Sequence, residues 1–254
     1  MLLSVRGAIA ATLLVGTALS AAPAFAQDAA APAEITVTGS AAVTTDYRFR
    51  GVSQSAGDPA IQGGITVSHA SGFYVGTWGS SIDLGSDVYG STELDLFGGW
   101  TGEVSSGLTL DAGLLYYAYP GGHGGDSEFF EPYASVSAMA GPAKVKVGAT
   151  YAWKQDALPS VFGNKHDNFY VYGNVDIAIP NTPLTVSGHF GYTDGVLAPS
   201  YYSTADKTGI DWSIGASATV YGPLSLGVSY IGVSGPSVDG YTDDAVVGTL
   251  TASF

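Results

Sequence analysis

The stretch "TGIDWSIGASATV", residues 208–220, alternates with a period of two: Ile210, Trp212, Ile214, Ala216, Ala218 and Val220 fall on one side and Asp211, Ser213, Gly215, Ser217 and Thr219 on the other. Successive side chains of an extended strand point to opposite faces, so this segment has one apolar and one polar side. A second segment, "AKVKVGATYAWK" from Ala143, repeats the pattern with Val145, Val147, Ala149, Tyr151 and Trp153 against Lys144, Lys146, Thr150 and Lys154. From residue 42 onward twelve such segments follow one another, and outside the N-terminus none shows the spacing of an amphipathic helix.

Alternation is shared by soluble sandwiches and membrane barrels. The connections separate the two. In order they read "SQSAGDP", "ASG", "DLGSDVYGS", "GEVSSG", "YPGGHGGDSE", "AGPA", "QDALPSVFGNKHDN", "IPNTP", "TDGVLAPSYYSTADKT", "YGPL" and "VSGPSVDGYTDDA", long and short taking turns throughout. Outer-membrane barrels have short turns at the periplasmic rim and long loops outside. With the long loops outside, Tyr116, Trp153, Phe169, Tyr192, Trp212 and Tyr230 fall near outer strand ends, and Phe73, Trp100 and Phe254 near inner ends. Aromatic rings collect at both interfaces of a bilayer. The expected fold is an all-β, transmembrane, antiparallel up-and-down barrel of twelve strands covering residues 42–254.

Composition agrees with an exported β protein. The 254 residues include 36 Gly, 16 Tyr and no Cys, so disulfides play no part. Eight Lys and Arg face 22 Asp and Glu, a formal net charge of −14, which argues against nucleic acid as a partner. Residues 1–26, with Arg6, an apolar run from Ala8 to Leu19 and "APAFAQ", read as a signal peptide cleaved after Ala26. Residues 27–41 read as a periplasmic tail or linker, although "EITVTG" from Glu34 resembles the energy-coupling box of TonB-dependent transporters.

Lipid offers exposed backbone no hydrogen-bonding partner, so a spanning sheet must close and its first and last strands must pair. The expected pair is "TTDYRFRG" with "VVGTLTASF". In the first, Val43, Thr45, Tyr47 and Phe49 are placed toward lipid and Asp46, Arg48 and Arg50 toward the lumen, because Arg at the lipid midplane costs roughly 2–4 kcal/mol. The same parity turns Glu93, Asp95, Asp111, Glu131, Lys144, Lys146, Lys154, Asp176 and Asp211 inward. With them go Phe97, Tyr117, Tyr133, Tyr170 and Tyr172, which narrow the bore. Strands one and seven of a twelve-membered ring are opposite, so Arg48 and Arg50 are expected to face the lysine strand across the lumen. Lys144 or Lys146 is expected to pair with Asp176 on the neighbouring strand.

The segment "TDYRFRGVS", Thr45 to Ser53, resembles the TorF-type family of Gram-negative outer-membrane porins, whose mature chains open on such a segment; "GFYVGTWGSSID" (Gly72–Asp83) and "ELDLFGGW" (Glu93–Trp100) extend the likeness. The resemblance implies an outer-membrane location and a channel role, without a defined solute. The C-terminal strand ending on Phe254 resembles the signal read by the outer-membrane assembly machinery.

Enzymatic alternatives find little support. Of the four histidines, His189 in "SGHFGY" faces the lumen, and no G-x-S-x-G is present for a lipase-like site. "GGHGGDS" lacks the spacing of a phosphate loop, and Asp239, Asp243 and Asp244 of "DGYTDD" lack EF-hand spacing, although a Ca²⁺ bridge to lipopolysaccharide is conceivable there. No cofactor, metal or catalytic residue is expected. The expected function is passive diffusion of small hydrophilic solutes through a mixed-charge lumen. A non-conducting structural or loop-mediated binding barrel is the alternative, and an outer-membrane enzyme comes third.

Overall fold

A computed structural model describes residues 34–85, 88–123, 127–158 and 165–254. The signal segment with Ala26, the first part of the presumed tail and the centre of "GGHGGDS" lie outside the described residues.

Twelve antiparallel strands close into one barrel. In chain order they are β1 (Ile35–Thr44), β4 (Ala60–His69), β5 (Phe73–Ser81), β6 (Thr92–Ser105), β7 (Leu108–Ala118), β8 (Phe129–Ala140), β9 (Ala143–Ala152), β10 (Asn168–Ala178), β11 (Leu184–Gly195), β12 (Thr208–Tyr221), β13 (Leu224–Val233) and β14 (Ala245–Ser253). Between β1 and β4 lie two short strands, β2 (Arg48–Phe49) and β3 (Val52–Ser53), paired only with each other. One helical turn, α1 (Tyr201–Thr204), sits in the loop before β12.

Closure occurs as the physics of lipid requires, but through a different segment. β1 pairs with β14 from Ser40↔Ser253 to Thr44↔Thr249, and with β4 over its whole length. The first wall strand is therefore "ITVTGSAAVT", which begins inside the stretch read as a periplasmic tail. Its Thr, Val and small residues alternate and suit a pleated wall, and Ile35, Val37 and Val43 stand exposed on its outer side. Phe254 seals the seam: its N–H donates to the Gly39 carbonyl and its carbonyl accepts from the Gly39 N–H. Its ring lies over Gly39, where a Cβ would meet it at 2.7 Å.

The outer surface is apolar. Ile61, Phe73, Phe190, Ile214, Leu250 and Val246 are all solvent-exposed in the isolated chain, and Ile61 and Val246 reach 70 %. Such a continuous belt on a closed barrel is a lipid-facing surface. The aromatic rings sort as expected: Phe130 stacks on Trp153 and meets Tyr116 at a tilt at the outer rim, Trp212 packs edge-on against Tyr230, and Phe73 and Phe254 are exposed at the inner rim. On β5, Phe73 and Val75 point out while Tyr74 and Trp78 point in.

Replacing Ile214 with Arg, at the middle of β12, is expected to lower the stability of the barrel refolded into phospholipid vesicles by about 2–4 kcal/mol, read from urea unfolding. A loss near zero would show that this face does not meet hydrocarbon.

Candidate functional site: a charged loop folded across the lumen

The two arginines are not on the wall. After Thr44 the chain leaves the barrel at its outer end and turns inward as loop L1, residues 45–59. Within L1, Phe49 pairs with Val52 and Arg48 with Ser53, leaving Arg50 and Gly51 as a two-residue turn. Both have positive φ, 49° and 80°, as a type I′ hairpin turn demands. Glycine accepts this without cost, whereas Arg50 is strained there. Gly51 has a second reason: a Cβ would collide with Val233 on the wall.

Tyr47 and Phe49, expected to face lipid, face inward. Tyr47 is 1 % exposed, packs edge-on against Trp78 and donates to Glu93 on β6 at 3.3 Å. Phe49 joins two apolar clusters, one containing Leu115, Tyr117, Phe129 and Ala152 of the wall with Ala157, Leu158 and Val196 of outer loops, the other Tyr47, Ala60 and Ile82. Period-two parity fails here because the chain stops being wall after Thr44. A hairpin that packs inside the barrel buries both its faces.

L1 is held by its own charges. Asp46 receives Arg48 Nε at 2.5 Å and the hydroxyls of Ser53 at 2.6 Å and Ser55 at 3.2 Å. Arg48 also donates to the carbonyls of Tyr241 at 3.2 Å and Asp243 at 2.7 Å and lies 3.7 Å from the Asp243 carboxylate. The Ser53 N–H donates to the Tyr241 carbonyl at 2.7 Å. These contacts latch L1 to the last outer loop, residues 234–244.

Arg50 reaches the far wall. In the ring β9 stands six places from β1, and the hairpin carries Arg50 across that distance. Its Nη2 donates to both oxygens of Glu131 on β8 at 2.7 Å and to Thr150 on β9 at 3.0 Å. Its guanidinium lies 4.6 Å from the Phe49 ring centre and 4.3 Å from that of Tyr170 on β10. Cation–π contacts of this kind strengthen when desolvated. Tyr117 adds a hydrogen bond to Glu131 at 3.2 Å. The lumen is thus bridged by a buried ion pair to Glu131 on β8, the neighbour of the lysine-bearing β9 that the sequence reading places opposite the two arginines.

Of the charges assigned inward, five acidic side chains are buried on the wall, whereas Lys144 is exposed near the start of β9. Glu93, Asp95, Asp111, Glu131 and Asp211 are all buried on the lumen side. Asp111 accepts from Tyr74 at 2.5 Å. Asp211 Oδ1 accepts from Tyr170 at 3.2 Å and lies 2.7 Å from His189 Nε2, while His189 Nδ1 lies 2.6 Å from Asn174 Oδ1. Asp176 stands opposite Lys144 in the β9–β10 register, and Lys146 opposite Asn174. Lys154 is a correction: it falls beyond the end of β9 and is exposed, because the strand ends at Ala152.

Beneath the L1 tip is a chamber of about 90 Å³, lined by Arg48, Phe49, Arg50 and Gly51 of the loop and, from the wall, by Asp111, Glu131, Tyr133, Lys146, Tyr170, Tyr172, His189 and Asp211 among others. The sequence missed L1 as an internal element. Its legible signals were the R-G pair flanked by short β-prone runs and the strand-like "ITVTGSAAV" ahead of it.

A closed barrel with an apolar belt, a polar lumen and an inward-folded loop defines the architecture of outer-membrane porins. Residues 26–254 match one family model, and the chain belongs to that family, Gcw_chp, described as bacterial proteins of unknown function. No curated protein matches the sequence. Among solved structures the fold is similar to the NanC porin (TM-score 0.58, 11 % identity, covering 86 % of this chain and 99 % of that one). It is also similar to the KdgM porin, solved in complex with disordered oligogalacturonate (0.55, 11 %, 86 % and 98 %). An outer membrane channel from Pseudomonas putida F1 follows (0.52, 11 %, 85 % and 94 %).

Replacing Arg50 with Met strands the buried Glu131 carboxylate and is expected to cost about 3–5 kcal/mol, whereas the double replacement Arg50→Met with Glu131→Leu should recover most of that loss. A double-mutant cycle from urea unfolding measures both; additive losses would show that the pair does not act as one unit.

Proposed function

We propose that this protein is an outer-membrane channel for passive diffusion of small hydrophilic solutes, with L1 controlling access at the outer mouth. The observation that carries the reading is L1 itself: a charged hairpin laid across the lumen, above a chamber that charged residues help to line, inside a wall of porin architecture. A wall that only anchored external loops would gain nothing from burying Asp46, Arg48, Arg50 and Glu131 in its interior, since each buried charge carries a desolvation penalty offset only by its partner. In a channel those charges set which solutes enter, as rings of charged side chains do in selective pores.

The reading extends to the points on which sequence supplies the support. Residues 1–26 act as the export signal with cleavage after Ala26; the C-terminal strand ending on Phe254 engages the assembly machinery; and the outer loops meet lipopolysaccharide. The motifs at Thr45–Ser53, Gly72–Asp83 and Glu93–Trp100 support kinship with the TorF-type porins. His189 is held by Asn174 and Asp211 inside the lumen rather than on the lipid face, which fits a wall residue better than a lipase base.

One observation favours a second reading, a non-conducting barrel. Tyr47 and Phe49 pack with Ile82, Leu158 and Val196 from three outer loops into apolar clusters at the outer end of the barrel. On this reading L1 and the neighbouring loops close the outer mouth. In planar bilayers the intact protein is expected to show discrete conductance steps, replacement of residues 48–53 by a Gly-Ser linker to enlarge them, and Arg48→Ser to raise the open fraction by releasing the latch. Silence from both the intact and the linker protein would establish the non-conducting reading. Mass spectrometry of the exported protein should show Gln27 as the first residue; retention of residues 1–26 would overturn the cleavage assignment.

A further inference from the structure

Glycine inside a strand weakens it and marks places where another group comes close. Four inward glycines of this wall each lie against a tyrosine ring. A Cβ built on Gly148 of β9 would stand 2.5 Å from Cζ and Oη of Tyr172, its register partner on β10. On Gly191 of β11 it would stand 2.6 Å from Cε2 of Tyr170. Gly99 and Gly113 are register partners on β6 and β7, flanked by Tyr74 on β5 and Tyr133 on β8. Those two rings converge over the glycine pair: Cβ atoms there would meet Tyr74 Oη at 2.7 Å and Tyr133 Cζ at 2.6 Å, and the hydroxyls lie 2.5 Å apart.

The sequence alone makes Tyr133, Tyr170 and Tyr172 side chains that stand into the bore. Beside a glycine a ring meets no Cβ, and each of these rings leans onto the space that the neighbouring strand leaves free. Tyr170 and Tyr172 hold this posture side by side, 5.6 Å apart and 24° from parallel. Carbon atoms rest about 3.5–4.0 Å apart, so a methyl group on Gly148, 2.5 Å from Cζ, would push Tyr172 away by about 1 Å or more. Tyr172 lines the chamber, and that is the open side to which it would go.

We propose that the inward glycines set the width of the lumen, and with it the size limit on solutes, each serving as a recess for one tyrosine ring. This role deepens the channel reading and rests on it for the solute limit; the recess itself does not depend on conduction. Plain sheet packing is the competing role, since Trp212 lies in the same way over Gly232 on the lipid face, where a Cβ would meet its Cζ2 at 2.6 Å. Packing alone makes the two places equivalent, whereas a width role separates them. Gly148 offers the cleaner test, because the close atoms there all belong to the ring, while at Gly99 and Gly113 backbone carbonyls stand 2.5 Å away.

In planar bilayers Gly148→Ala is expected to lower the conductance step by roughly a fifth or more, because it moves a ring into a narrow bore. Adding Tyr172→Ser to Gly148→Ala should restore at least the native step, and Gly232→Ala should leave the step unchanged. Heat-modifiable gel mobility checks that each variant is folded. If Gly148→Ala does not fold, Gly191→Ala, which pushes Tyr170, takes its place; failure of both to fold would make the glycines structural and overturn the width role. An unchanged step in folded Gly148→Ala, or an equal fall in Gly232→Ala, would overturn it too. A crystal structure of Gly148→Ala keeps the two readings apart. If the native barrel is silent the channel reading falls, and the ring then decides the recess: Tyr172 displaced into the lumen supports it, and Tyr172 in its native place removes it.

Discussion

The absence of hydrogen-bonding partners in hydrocarbon governs this molecule. Every backbone N–H and C=O at membrane depth must be satisfied within the protein, so the sheet closes, and the closing seam is where the constraint is most visible. β14 finds its partner in β1, and the last residue, Phe254, exchanges two backbone hydrogen bonds with Gly39 and lays its ring over that glycine. Closure divides the side chains into two populations with opposite solvents. The outward set is apolar and bounded by aromatic rims, and the inward set collects the ions.

That division creates a second problem, which L1 solves. A lumen lined by Glu93, Asp95, Asp111, Glu131 and Asp211 has an acidic excess in a narrow space. L1 delivers two guanidinium groups into it from outside the wall. Arg50 neutralises Glu131 on the far side, and Arg48 is neutralised by Asp46 from its own hairpin while gripping the backbone of the last outer loop. The same hairpin lends Tyr47 and Phe49 to apolar packing with the neighbouring loops. One fifteen-residue loop therefore supplies countercharge, a latch and apolar packing, and the strain of Arg50 at positive φ is sustained by the contacts at both its ends.

The wall was legible from residue alternation, loop lengths and the placement of aromatic rings, because those patterns follow directly from the two solvents on either side of a strand. So were the inward positions of Glu93, Asp95, Asp111, Glu131, Lys146 and Asp211, which alternate with outward, mostly apolar neighbours. The start of the barrel was not. "ITVTGSAAVT" and "TDYRFRG" both alternate, and only one can be the first wall strand; register with β14 and β4 selects the former. Once Tyr47 and Phe49 are assigned to a hairpin, their outward parity has no meaning, since an element packed inside a barrel has no lipid face.

By itself the sequence determined that a twelve-stranded barrel forms and which face of most strands meets lipid, because both are local consequences of period-two chemistry. Only the tertiary structure decided where the wall begins, that L1 lies inside it, and that Arg50 meets Glu131 across a separation of 81 residues. Those outcomes depend on which segments win the pairing that closes the ring and on space left within it, and neither quantity is written in any short stretch of the chain.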